Sequence, residues 1–173
     1  MGVGASSIFC MTRAAERGWR FCISRDAFAI ARKGFFMTDD NLRGASVTWE
    51  GGMRFRGGAA GGPTSLIDAD GEQAPGPMVT LLLAAAACGG ADIVSILQKM
   101  QVTLGELGIE VTGRRAPDHP KRFLTIHFSY RFRGEGLDEA KARRAIDLSH
   151  QKYCSVMHSL NSDIAITYDL DLG

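Results

Sequence analysis

Two cysteines in the body of this 173-residue chain, Cys88 and Cys154, stand 66 residues apart, each in an apolar, helix-like setting. Such thiols form a reversible dithiol–disulfide couple if folding brings their Cα atoms within about 7 Å. A reactive thiol also needs its pKa lowered by a cation or a helix N-terminus. Cys154 is placed to open a last short helix. Cys88 falls mid-helix and requires a cation from elsewhere, and arginine suits because it stays charged and hydrogen-bonds as a planar fork. A second pattern competes around Cys154. His150, Cys154 and His158 fall at i, i+4 and i+8, and one continuous helix would set all three on one face. That set suits a Cys–His nucleophile pair or a partial metal site lacking its fourth ligand. Solvated or capping histidines are the plainer alternative. His127 lies on the polar side of its strand and reads as exposed. The glycine-rich run Gly57 to Gly62 lacks the Lys-Ser/Thr that follows in a phosphate loop.

The element that must position Cys88 is Pro77 to Gln101, PMVTLLLAAAACGGADIVSILQKMQ. From Met78 to Cys88 only Thr80 is polar, and Asp92 is the only charged side chain between Met78 and Gln98. This apolar run is too short to span a bilayer, which predicts a buried core helix. Pro77 suits the first helical position, where its missing N–H is not needed. The small residues flanking the thiol, Ala84 to Ala87 and Gly89-Gly90, invite close approach of another backbone. Each glycine costs roughly 1 kcal/mol relative to alanine in a helix, so packing must offset it.

Around the helix the patterning is mixed. Ala45–Trp49 and Met53–Arg56 flank Gly51-Gly52 as a hairpin, and Thr64–Asp68 reads as a third strand. Leu107–Arg115 and Arg122–Arg133 read as strands joined through Pro117 to Pro120. In the second, Leu124, Ile126, Phe128, Tyr130 and Phe132 alternate with polar residues, the mark of a half-buried strand. Asp138 is a cap for a helix with its stripe on Ala142, Ala145, Ile146, Ser149 and Tyr153. Cys154–Leu160 is a second helical piece, and Ile164, Ile166, Tyr168 and Leu170 alternate in a closing strand. The order predicts an α+β fold with a largely antiparallel sheet. A helix apolar on nearly all faces needs covering on all of them, which predicts a homodimer.

Composition narrows the class. Apolar residues make up 45% and charged residues 23% of the chain, as in ordinary soluble domains. The net charge of +1 conceals a basic N-terminal stretch: residues 1–36 carry six Lys/Arg against two Asp/Glu. No basic stripe marks the body as a nucleic-acid binder. The other cysteines, Cys10 and Cys22, lie in that stretch, and no CxxC pair occurs. A secreted disulfide framework is not expected, and the thiols are expected to stay reduced in a cytoplasmic protein. Residues 1–40 are expected to be an N-terminal extension, disordered or upstream of the functional start near Met37, and residues 41–173 a single domain.

Three segments together resemble a known family: GPMVTLLLAAAACGGADIVSILQKM (Gly76–Met100), IHFSYRFRGEGLDEAKARRAIDLS (Ile126–Ser149) and KYCSVMHSL (Lys152–Leu160). They look like the OsmC/organic hydroperoxide resistance family, nearest its YhfA-like branch, and SVTWEGGMRF (Ser46–Phe55) fits its first hairpin. The resemblance runs from about Ala45 to Leu172. It implies an intertwined homodimer, with antiparallel sheets wrapped around two long central helices. It further implies a thiol-dependent organic hydroperoxide reductase of oxidative-stress defence. Cys88 would attack the peroxide and become a sulfenic acid, and Cys154 would resolve it to a disulfide. A lipoylated protein or other thiol donor would then reduce that disulfide, and no cofactor, metal, nucleic acid or membrane is implied. The family's activating arginine lies in the early strands, where Arg54 or Arg56 could serve. Peroxidatic members often open the central helix with Pro-x-Glu-Leu-Leu, and here Val79 stands at the glutamate's place. That departure favours the alternative: a non-catalytic or redox-sensing member binding an apolar small molecule in the dimer pocket.

Overall fold

Two small three-stranded sheets and one long helix carry the architecture of residues 41–173, the part of the chain that the computed structural model describes. The predicted extension, residues 1–40, lies outside the described residues. Strands β1 (Ser46–Trp49), β2 (Arg54–Gly58) and β3 (Thr64–Asp68) form an antiparallel meander. Gly51 and Gly52 have φ of 96° and 56°, so the β1–β2 turn needs the left-handed backbone that glycine adopts freely. Buried Asp68 closes the way to the helix: its carboxylate accepts the N–H of Asp70 at 3.2 Å and of Gln73 at 3.0 Å.

Helix α1 (Pro77–Lys99) begins at its proline, as expected. Its buried residues, Leu82, Ala85, Ala86, Gly89, Gly90, Ile93 and Leu97, recur at helical spacing and form one stripe. The two glycines are explained by what faces them. An added Cβ at Gly90 would meet Ile109 Cδ1 at 2.9 Å, and one at Gly89 would meet Met157 Cε at 3.1 Å. The whole 23-residue helix is long and apolar enough to cross a bilayer, unlike the Met78–Cys88 run alone. Its stripe packs into the core, and its opposite side leaves Val79 and Leu83 about half exposed.

The second sheet has the order β4 (Thr103–Arg115), β5 (Phe123–Glu135), β6 (Ala165–Leu172). The first two strands begin or end beyond their expected bounds. β4 and β5 are antiparallel, whereas β6 joins β5 in parallel, Thr125 opposite Ala165 through Phe132 opposite Leu172. The alternation of β5 holds: Ile126, Phe128, Tyr130 and Phe132 are buried, and Arg131 and Arg133 are exposed. The crossover from β5 to β6 contains α2 (Glu139–Leu148), a π-helical turn (Ser149–Tyr153) and the short α3 (Ser155–His158). Asp138 caps α2 as predicted, accepting the Lys141 N–H at 2.8 Å.

One polar group is woven into the aromatic layer of this core. Tyr130 Oη lies 2.8 Å from His150 Nε2, and the imidazole packs edge-on against Phe128 and Tyr168. Burial holds the His150 pKa below its ordinary value, with Asp147 opposing the shift only in part. Burial also drives the Tyr130 hydroxyl well above the usual phenol range.

Two outcomes follow from this packing. Ile93→Ala, at a position with 0% exposure, is expected to cost about 2–5 kcal/mol in urea unfolding, the range for a cavity-forming core truncation. The neutral His150 gives a pH signature. The unfolded chain takes up a proton near the ordinary histidine pKa while the folded protein resists it, so stability declines as pH falls below about 6.5. His150→Gln should flatten that part of the stability–pH curve, and NMR should find the His150 midpoint below that of a free histidine.

Candidate functional site: a thiol pair beside a carboxylate

Cys88 lies on α1 one residue before the Gly89-Gly90 step and is half-buried. Cys154 sits where the π turn gives way to α3. Its N–H closes the turn on Ser149 O at 2.9 Å, and its own φ, ψ of −68°, 97° break the helix. The side chain is completely buried. The fold thus brings together the two thiols that the sequence places 66 residues apart: Cys88 Sγ, Cys154 Sγ and a carboxylate oxygen of Asp92 all lie within 4.8 Å of one another. Both cysteines are free thiols.

The surroundings treat the two sulfurs differently. Burial pushes the Cys154 thiol up to about 11; the Cys88 thiol beside it adds to the shift, and backbone N–H groups of Met157 and Val156 oppose it. Cys154 does open the last short helix, as its sequence position suggests, but the stabilisation offered there is outweighed by desolvation.

Asp92 is the residue that sequence reasoning passed over. It falls one turn after Cys88, hence on the same face of α1. Buried Ser149 ties it to the crossover, its Oγ lying 3.2 Å from Asp92 Oδ2 and 3.3 Å from the Gly89 carbonyl oxygen. The available signal was a lone acid four residues from a cysteine in an otherwise uncharged stretch. Ser149 was visible only as a small residue in the α2 stripe.

The remaining expected residues do not gather here. Arg56, in β2, is spent on Glu50, with Nε to Oε1 at 2.7 Å on an exposed surface. The Arg54 guanidinium makes no hydrogen bond or ion pair among the described residues; the hydrogen bonds of this residue are those of its backbone, with Glu50 and Gly51. Among the described residues, neither arginine makes a hydrogen bond to Cys88. The His150, Cys154 and His158 row is not continuous, because the π turn and the extended Cys154 scatter it. His150 turns to Tyr130 instead, and His158 is exposed at the end of α3. His127 is half-buried on the outer face of the sheet, its Nδ1 2.8 Å from Thr167 Oγ1.

Comparison with known proteins agrees with this geometry. Residues 69–169 match the family model described as OsmC-like protein. The chain is 36% identical to Protein YhfA of Escherichia coli strain K12 over 129 residues, covering 74% of this chain and 96% of that one. The fold is shared with a crystal structure of an OsmC-like protein from Mycoplasma pneumoniae, at a TM-score of 0.67 and 18% identity, covering 76% of this chain and 97% of that one. It is also shared with the organic hydroperoxide resistance protein OhrB of Bacillus subtilis, at a TM-score of 0.53 and 19% identity, covering 74% and 98%. A dithiol set between a central helix and its crossover, on this fold and with this sequence match, belongs to a chain of the OsmC-like protein family.

Proposed function

We propose that this protein is a thiol-dependent hydroperoxide reductase acting on organic peroxides, with Cys88 as nucleophile and Cys154 as resolving thiol. The observation that carries it is the meeting of a half-buried and a fully buried thiol with sulfurs within 4.8 Å of one another. The accessible Cys88 sulfur attacks the distal peroxide oxygen; the O–O bond breaks, an alcohol leaves, and Cys88 becomes a sulfenic acid. Cys154 then attacks that sulfur, water leaves, and the disulfide forms. An external dithiol, such as a lipoylated protein, returns both thiols and is itself oxidised. The free thiols suit the reducing conditions of a cytoplasm.

The chemistry needs a cation near Cys88, and no arginine of the same chain contacts it among the described residues. A homodimer supplies a source. Val47, Trp49 and Phe55 share one face of the first sheet and are 62%, 64% and 38% exposed. Val79 and Leu83 of α1 are also exposed, and apolar side chains of this size are the kind buried between subunits. In this reading Arg54 or Arg56, which flank Phe55 and so leave β2 on its other face, reaches the Cys88 of the second subunit.

A second reading has its own observation. Val79 opens α1 where peroxidatic relatives have glutamate, and Asp92 lies beside the thiols with its charge uncompensated among the described residues. A carboxylate there disfavours a thiolate, which favours a redox-sensing or apolar-ligand-binding role over turnover.

Reduced, metal-free protein treated with one equivalent of cumene hydroperoxide is expected to lose two thiols and gain a Cys88–Cys154 disulfide by peptide mapping, with hydrogen peroxide slower. Cys88→Ser should reduce peroxide consumption to the uncatalysed rate, while Cys154→Ser should accumulate a dimedone-reactive sulfenic acid at Cys88. Thiols unchanged over minutes would favour the second reading. Light scattering should give twice the chain mass, and Trp49→Glu should shift the protein towards monomer. A monomeric native protein would remove the dimer from the scheme.

A further inference from the structure

We propose that Cys88, Asp92 and Cys154 form a three-ligand site for a soft divalent cation, zinc above all, with a fourth position open to water. Thiolate sulfur with one carboxylate oxygen is a donor set that zinc accepts, and three protein ligands plus an open position is a recurrent zinc arrangement. Cys88 and Asp92 stand at i and i+4 on one helix, the spacing that lets two side chains of a single helix grip one zinc ion in the HExxH motif. The third ligand comes from the distant crossover, so the metal would clamp α1 to it.

The geometry is close to what binding requires. The three donor atoms lie within 4.8 Å of one another, and tetrahedral zinc with bonds of about 2.0–2.3 Å needs donor separations of roughly 3.5–3.8 Å. Binding would draw the donor atoms together by roughly 1 Å. The outer support is present: Ser149 Oγ holds Asp92 Oδ2 at 3.2 Å, orienting the carboxylate as second-layer partners of metal ligands do. Asp92 has no ion-pair partner among the described residues, so a dication would be its counter-charge. On the Asp92 side a cleft of about 300 Å³ is lined by Asp92, Ser95, Leu148 and Tyr153; neither cysteine is part of its lining. Lys99 shares its wall but makes no ion pair with Asp92.

Binding breaks two S–H bonds, releases both protons to solvent and forms two sulfur–metal bonds, with no change of oxidation state. Because both sulfurs are used, metal and disulfide exclude each other. The proposal rests on the thiol pair of the preceding reading, but not on peroxide turnover.

The experiment uses the untagged full chain carrying Cys10→Ser and Cys22→Ser, reduced, stripped with chelator and titrated anaerobically with Co(II). The expected result is one ion per chain, with a sulfur-to-cobalt charge-transfer band and the intense visible bands of tetrahedral cobalt, all displaced by Zn(II). Cys88→Ser and Cys154→Ser should each diminish the charge-transfer band, and Asp92→Asn should weaken binding by about tenfold or more. Absence of the band at stoichiometric cobalt overturns the site, and unchanged affinity in folded Asp92→Asn overturns the assignment of the third ligand. A readout free of those variants is alkylation of Cys88 by iodoacetamide, which one equivalent of Zn(II) should block and Mg(II) should not. Alkylation at an unchanged rate with zinc present sinks the proposal. The peroxide assay is run with chelator present, so metal binding without peroxidase activity, or the reverse, separates failure of one idea from failure of the other.

Discussion

The closeness of α1 to the crossover at Gly89 is the constraint on which the site depends. With no side chain at that position, Ser149 Oγ comes within 3.3 Å of the Gly89 carbonyl oxygen and Met157 packs across the gap. An added Cβ there would meet Met157 Cε at 3.1 Å and Ser149 Oγ at 3.5 Å, so even alanine asks the crossover side chains to give way slightly. The helix-weakening cost of adjacent glycines is set against the close packing of Met157 and Ile109 on the two positions. Ala85 and Ala86 continue the same smooth surface towards the start of the helix.

What that closeness produces is a pair of chemically unequal thiols. Cys154 is sealed inside and holds its proton strongly, whereas Cys88 retains a path to solvent. Such asymmetry suits a division of labour in which one sulfur meets the reagent first and the other responds to an already activated partner. Asp92 complicates the picture, because its charge opposes any thiolate nearby. Neutralising that charge is the requirement shared by a partner's arginine and by a metal ion. In the two proposals the same three side chains serve either thiol redox chemistry or ion binding, and the two differ in the cation that they call for.

Much of the fold was legible because its elements have clean periodicity. The alternation of β5, the proline start of α1 and the Asp138 cap follow directly from local sequence, and the structure has them where the residues placed them. The family motifs likewise located both cysteines. Two features escaped for physical reasons. The parallel pairing of β6 is a property of the crossover path, and an alternating strand reads the same whichever way its neighbour runs. The π turn at Ser149–Tyr153 has no composition of its own, so helical spacing put His150, Cys154 and His158 in a row that the wide turn disperses. Asp92 escaped differently: its role depends on a serine 57 residues away in sequence.

The parallel β5–β6 pair has a temporal consequence. A strand beside its predecessor in the same direction must wait for the intervening chain to travel back, here through α2, the π turn and α3. Non-local closures of this kind come late, because the entropy of ordering the connection precedes the contacts that reward it. Cys154 rides on that connection, so its place beside Cys88 belongs to the crossover that β6 closes. During synthesis Cys88 is made 66 residues before Cys154. The two sulfurs can therefore meet only after the crossover that carries the second has been made.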